Sequence, residues 1–122
     1  MRLNPDCIRD ILFYIEANTN FEIDSIDVND IIEELSNYDS KTLYYHIQMI
    51  EESELVNNVL WAENRPWEIS KLSYNGHQFL SNIHDDKVWK KVKNYINKLP
   101  SVSLQVLISI APTLLEKTLF KP

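Results

Sequence analysis

The chain has 122 residues, 44% of them apolar and 25% charged, with a formal net charge of −6. One cysteine excludes an internal disulfide framework, and one glycine with five prolines excludes collagen-like or glycine-linker architectures. The length suits one globular domain. Long polar stretches exclude a polytopic membrane protein, and the lack of a basic-then-apolar leader pattern makes a cytoplasmic protein the expectation.

Charge is unevenly spread. Residues 1–86 carry five Lys/Arg against seventeen Asp/Glu, whereas residues 87–122 carry seven lysines against Glu116 alone. The polarity points to a basic end that meets nucleic acid, an anionic lipid face or the acidic part of another copy; the plainer reading is a set of solvated faces.

In chain order, Asn4-Pro5-Asp6 is a helix start: a capping side chain, a proline at the first helical position and an acid that complements the dipole. Ile8, Ile11, Leu12 and Ile15 then repeat at helical spacing, which predicts a helix over 5–17. After the breaker Asn18-Thr19-Asn20, the alternation of Phe21, Ile23 and Ser25 predicts a short strand or extended segment. Asp27 caps a second helix over 28–37, with Val28, Ile31, Ile32 and Leu35 as its stripe. Asp39 or Ser40 opens a third, running to Ser53, with Leu43, Ile47 and Ile50 inward.

Residues 56–62 and 67–72 read as strands around the turn Glu63-Asn64-Arg65-Pro66, a hairpin of about 56–72 with Arg65 at its tip. Ser73 opens a fourth helix with Phe79, Leu80 and Ile83 inward. His84-Asp85-Asp86 interrupts that helix or caps the next, in which Val88, Trp89, Val92, Tyr95, Ile96 and Leu99 keep helical spacing up to Pro100. The apolar segment from Val102 to Phe120 is predicted helical, with a kink or break at Pro112.

Helix, short strand, helix, helix and hairpin is the order of a winged-helix domain, whose third helix enters the DNA major groove. The expectation is an α+β, mainly helical fold. A winged helix-turn-helix domain spans 1–86, and a basic, then apolar, helical extension spans 87–122. The run His46-Ile47-Gln48-Met49-Ile50-Glu51-Glu52-Ser53-Glu54-Leu55-Val56 resembles the end of the recognition helix in arsenic-repressor-like winged-helix regulators, with Glu54 where those families use glycine. Leu72-Ser73-Tyr74-Asn75-Gly76-His77-Gln78-Phe79-Leu80 resembles the segment many winged-helix proteins carry after the wing.

The chain as a whole resembles an uncharacterised family of small bacterial and phage proteins, a domain of unknown function. The resemblance rests on the opening Met1 to Leu12, on Ile32-Glu33-Glu34-Leu35-Ser36, on Tyr44-Tyr45-His46-Ile47 and on Gly76 to Leu80. It rests also on Asp86-Lys87-Val88-Trp89-Lys90-Lys91-Val92-Lys93. It implies a Gram-positive bacterial or prophage setting and no set of catalytic residues.

Signals of catalysis are scarce. There is no glycine-rich phosphate loop, nucleophile elbow or His-Glu-x-x-His pair, so no enzyme and no cofactor are expected. His77 and His84 can share a helical face but lack two further ligands for zinc, so no metal site is expected. His46 reads as a core-boundary residue, Cys7 as a small buried hydrophobe rather than a redox thiol, and the adjacent carboxylate pairs as solvated faces.

Two functions fit. The first is a DNA-binding regulator that reads double-stranded DNA with Lys41, Thr42, Tyr45 and Gln48, and with Met49 as a further outward side chain. Arg65 enters a minor groove, and Lys87, Lys90 and Lys91, aided by Lys93 and Lys98, neutralise phosphates. The alternative is an acidic protein-interaction module, an inhibitor or adaptor of the phage type, anchored by exposed Trp and Tyr side chains; in the plainer reading Trp61 and Trp67 face each other across the hairpin. The apolar C-terminal segment forms a homodimer, packs internally or, in last place, touches a membrane surface.

Overall fold

A computed structural model describes residues 1–119, as an α+β fold of six helices and one small antiparallel sheet. Helix α1 (Pro5–Asn18) begins where Asn4 Oδ1 accepts the N–H groups of Asp6 (3.0 Å) and Cys7 (3.3 Å), and it buries Cys7, Ile8, Ile11, Leu12 and Ile15. Strand β1 (Ser25–Asp27) follows, then α2 (Val28–Glu34), capped by Asp27, and α3 (Ser40–Glu52), capped by Asp39. The hairpin comprises β2 (Val59–Ala62) and β3 (Arg65–Ser70). Three helices complete the chain: α4 (Tyr74–Ile83), α5 (Asp86–Ile96), capped by Asp85, and α6 (Leu104–Leu119). Phe120, the end of the predicted last helix, lies outside the described residues.

The sheet has the order β1-β3-β2, with Ile26 opposite Ile69 and Val59 opposite Ile69. Ile26, Val59 and Ile69 are all buried, so the sheet lays an apolar row against the helices. One buried cluster takes residues from every helix, including Val88, Trp89, Val92 and Ile96 of α5 and Leu104, Leu107 and Ala111 of α6. Polar contacts also tie α5 to α1. The Trp89 indole N–H donates to Asp6 (2.8 Å), Lys93 pairs with Asp6 (3.2 Å), and Arg9 bonds the carbonyls of Ile83 and His84 and the carboxylate of Asp86.

Four local expectations are corrected. The first strand is 25–27, not 21–25. Asn20 Oδ1 accepts the N–H groups of Glu22 and Ile23, and Asn20 N–H donates to the Ile23 carbonyl, which closes 20–23 into a turn. Phe21 is 97% exposed as a result.

The hairpin turn is the two residues Glu63-Asn64, at φ 55° and 63°, the paired left-handed conformation of a type I′ loop. Arg65 is therefore not the tip but the first residue of β3, paired with Ala62, and Trp61 pairs with Pro66 rather than with Trp67. Helix α2 stops at Glu34, not at 37. Lastly, of the kink or break expected at Pro112 the break does not occur: α6 is one helix through Pro112, with the buried Leu104, Leu107 and Ala111 on its inner side.

Gly76, the chain's one glycine, has a structural reason. A Cβ there would stand 2.0 Å from the Leu55 carbonyl oxygen, which accepts the Ser73 N–H (3.0 Å). Ser73 Oγ in turn caps α4 at the Gly76 N–H and donates to the Glu54 carbonyl (2.6 Å). The turn after α3 and the start of α4 are thus one bonded unit, and Glu54 takes the left-handed φ of 59° that glycine adopts at less cost.

Candidate nucleic-acid interface

Helix α3 buries Leu43, His46, Ile47 and Ile50, and so presents Lys41, Gln48 and Glu52 to solvent. Gln48 Nε2 lies 3.3 Å from Glu52 Oε2, one helical turn on. On the hairpin side of this strip, the Trp61 indole N–H donates to Glu51 (2.8 Å), which fixes β2 against the end of α3. Tyr44 borders Arg65, Pro66 and Trp67, and the Arg65 guanidinium stacks 4.9 Å from the Trp67 ring. The hairpin therefore stands directly beside α3, and its turn carries Glu63 and Asn64.

On the other flank, Tyr45 and Met49 are half-buried and face a cavity shared with Met1, Arg2 and Leu3 and with the α5–α6 connection. His46 explains this placement. Its Nε2 accepts the Asn4 backbone N–H (2.8 Å), so its Nδ1 carries the proton and donates to the Thr42 carbonyl (2.7 Å). The segment before α1 is thereby pinned to the middle of α3. Burial holds the His46 pKa below its ordinary value, against the opposing effect of the Thr42 carbonyl.

The sequence-predicted contacts separate into groups. Lys41 and Gln48 are exposed on α3 as expected. Thr42 is half-buried and committed to the helix start, its N–H on the Asp39 carboxylate (2.8 Å). Hydrogen bonds from Thr42 hold the Asp39 pKa below the usual range. Tyr45 sits edge-on against His46 (5.1 Å) and, like Met49, turns toward the cavity rather than outward.

Lys87, Lys90 and Lys91 are exposed on α5; Lys87 stands at the end that lies by Arg9 and His84, whereas Lys90 and Lys91 lie in the middle of the helix. Ile96, at the other end of α5, lines the cavity with Tyr45. About 14 Å of helix separates Lys87 from Ile96, and about 8–9 Å separates Lys90 and Lys91 from it. Arg2, across the cavity, and Arg65, on the hairpin, are cations that border α3. No local pattern marks Arg2; the 42-residue span from Asn4 to His46 places it.

The other reactive groups are committed to structure. Cys7 is fully buried, and burial with the nearby Asp10 carboxylate pushes its thiol up to about 12, so it is no thiolate nucleophile at neutral pH. The Tyr38 hydroxyl donates to Asp10 (2.7 Å). His77 and His84 are both exposed, with His84 edge-on to Phe13 at 5.0 Å. Among the described residues, no three His, Cys, Asp or Glu side chains are grouped to hold a metal ion. No helix among them is long and apolar enough to cross a membrane.

The comparisons with known proteins agree with the whole-chain resemblance read from the sequence. An uncharacterized protein of Haemophilus influenzae is 26% identical over 122 residues, which covers 98% of this chain and 99% of that protein. No solved structure matches the chain. The model of DUF2513, described as a hypothetical protein, matches residues 2–103, and the chain belongs to that family.

Proposed function

We propose that the chain is a winged-helix regulator that binds double-stranded DNA through α3. The observation that carries this reading is the exposed strip of Lys41 and Gln48 on a helix flanked by Arg2 on one side and by a hairpin bearing Arg65 on the other. Lys41 reaches a phosphate or a guanine edge, and Gln48 has the donor and acceptor pair that adenine requires. The element order and the sheet β1-β3-β2 fit a wing beside a recognition helix. A homodimer would form through α6, where Val106 is exposed and Ile110, Leu114 and Leu115 are half-buried, and would offer two copies of α3 to paired half-sites.

A second reading, an acidic module that binds a partner protein, is favoured by one specific observation. Glu52 and Glu54 are exposed at the end of α3, and Glu63 and Glu68 are exposed on the hairpin. These carboxylates oppose a phosphate backbone and suit a basic protein surface.

A titration with mixed genomic duplex fragments at low and at physiological salt separates the two. The DNA reading expects retention that weakens with salt and keeps a few preferred fragments. Lys41→Ala should lower the salt slope by about one, and Gln48→Ala should relax sequence preference. No retention at low salt overturns the DNA reading and leaves the protein-binding one.

A further inference from the structure

The cavity beside α3 has a volume of about 530 Å³, within the range of roughly 300–1,000 Å³ typical of small-molecule sites. Three segments distant in sequence build it: the residues before α1, the Tyr45–Met49 side of α3, and the α5–α6 connection. Met49, Leu99 and Val102 supply an apolar wall and are only half-buried. Tyr45, Asn97 and Ser101 bring polar groups to it.

Its charge sets it apart from the rest of the surface. The chain holds 18 Asp and Glu residues and a net charge of −6, yet among the described residues no carboxylate side chain lines this cavity, while Arg2 and Met1, with its terminal amino group, do. An apolar wall with the Arg2 guanidinium beside the Met1 amino terminus, and no carboxylate among the described lining residues, matches a ligand that has an apolar body and an anionic group. Arginine's planar fork suits a carboxylate or a sulfonate by paired N–H bonds.

We infer that this cavity is a binding site for a small apolar monoanion, of the aliphatic or aromatic carboxylate class, with Arg2 on the acid group and Met49, Leu99 and Val102 around the hydrocarbon. The site does not depend on the DNA reading, because it requires only the cavity and its charge.

The test uses the full chain, with octanoate as the anionic probe and 1-octanol as its neutral counterpart, followed by methyl and amide NMR shifts. Octanoate should give saturable shifts at Met49, Leu99 and Val102, and should bind roughly three- to tenfold more tightly than octanol, the gain of one partly exposed charge contact. Arg2→Gln should remove that preference and leave octanol affinity unchanged. Ser101→Trp, at an exposed lining position, should narrow the cavity and abolish binding of both, with the amide spectrum away from the cavity unchanged. Octanoate shifts that do not saturate, or octanol binding as tightly as octanoate to the unaltered chain, overturn the assignment.

Discussion

His46 concentrates much of the local logic of this fold in one ring. It is 1% exposed, and both of its nitrogens are used, one accepting from Asn4 and the other donating to Thr42. Protonation would put a second N–H against the Asn4 N–H, and burial opposes the charge as well, so the folded pKa lies below the unfolded one. The unfolded chain then binds more protons in the window between the two values. The ring's contribution to stability is complete above the ordinary histidine value of about 6.5 and is lost as pH falls through the lower folded value. Denaturation midpoints measured from pH 7.5 down to 5 should fall in that window. His46→Leu should flatten the slope there while costing about 1–3 kcal/mol for the orphaned Asn4 N–H. The sequence reading placed His46 at the core boundary, but not its partner, because a contact 42 residues away leaves no trace in local spacing.

At the scale of elements, the caps were legible and the turns were less so. Asn4, Asp27 and Ser73 each begin a helix where their side chains predicted one, and Asp39 proves the cap of the two candidates offered with Ser40, because capping is a short-range bond between neighbours. Phe21 and Ile23 misled because alternation of apolar residues cannot reveal that Asn20 folds the chain back on itself. The hairpin turn was read as four residues because Glu63 at positive φ is uncommon, and Arg65 was displaced from the tip as a result. Pro112 shows the reverse case, a local breaker overruled by burial on the opposite side of the helix. Its missing N–H still costs a hydrogen bond. Pro112→Ala should therefore stabilise the protein by about 1–3 kcal/mol and raise its melting temperature, with no change in helix boundaries by NMR.

At the scale of the molecule, charge counts along the chain could not say where charges meet. The basic segment was legible as a segment, but neither its course along α1, through Lys93 on Asp6, nor the placing of Arg2 and Arg65 beside α3 could be read from the count. The match to DUF2513 ends at residue 103, just before α6, yet α6 packs on α4 and α5. It contributes the buried Leu104, Leu107 and Ala111 to the common core. A chain ending at Ser103 should therefore be about 3–6 kcal/mol less stable in urea, the burial energy of two leucines, and should bind an apolar dye that the full chain does not.

The three tryptophans divide the molecule optically. Trp89 is 4% exposed, with its indole N–H on Asp6 and the Arg9 guanidinium 5.3 Å from its ring, whereas Trp61 and Trp67 are each 37% exposed on the hairpin. A neutral collisional quencher such as acrylamide should reach the hairpin pair and spare the third. Whatever lies along α3 and the hairpin, duplex or protein, should shield Trp61 and Trp67 and leave the Trp89 emission as it was, so the unlabelled chain reports by its own fluorescence which face is occupied.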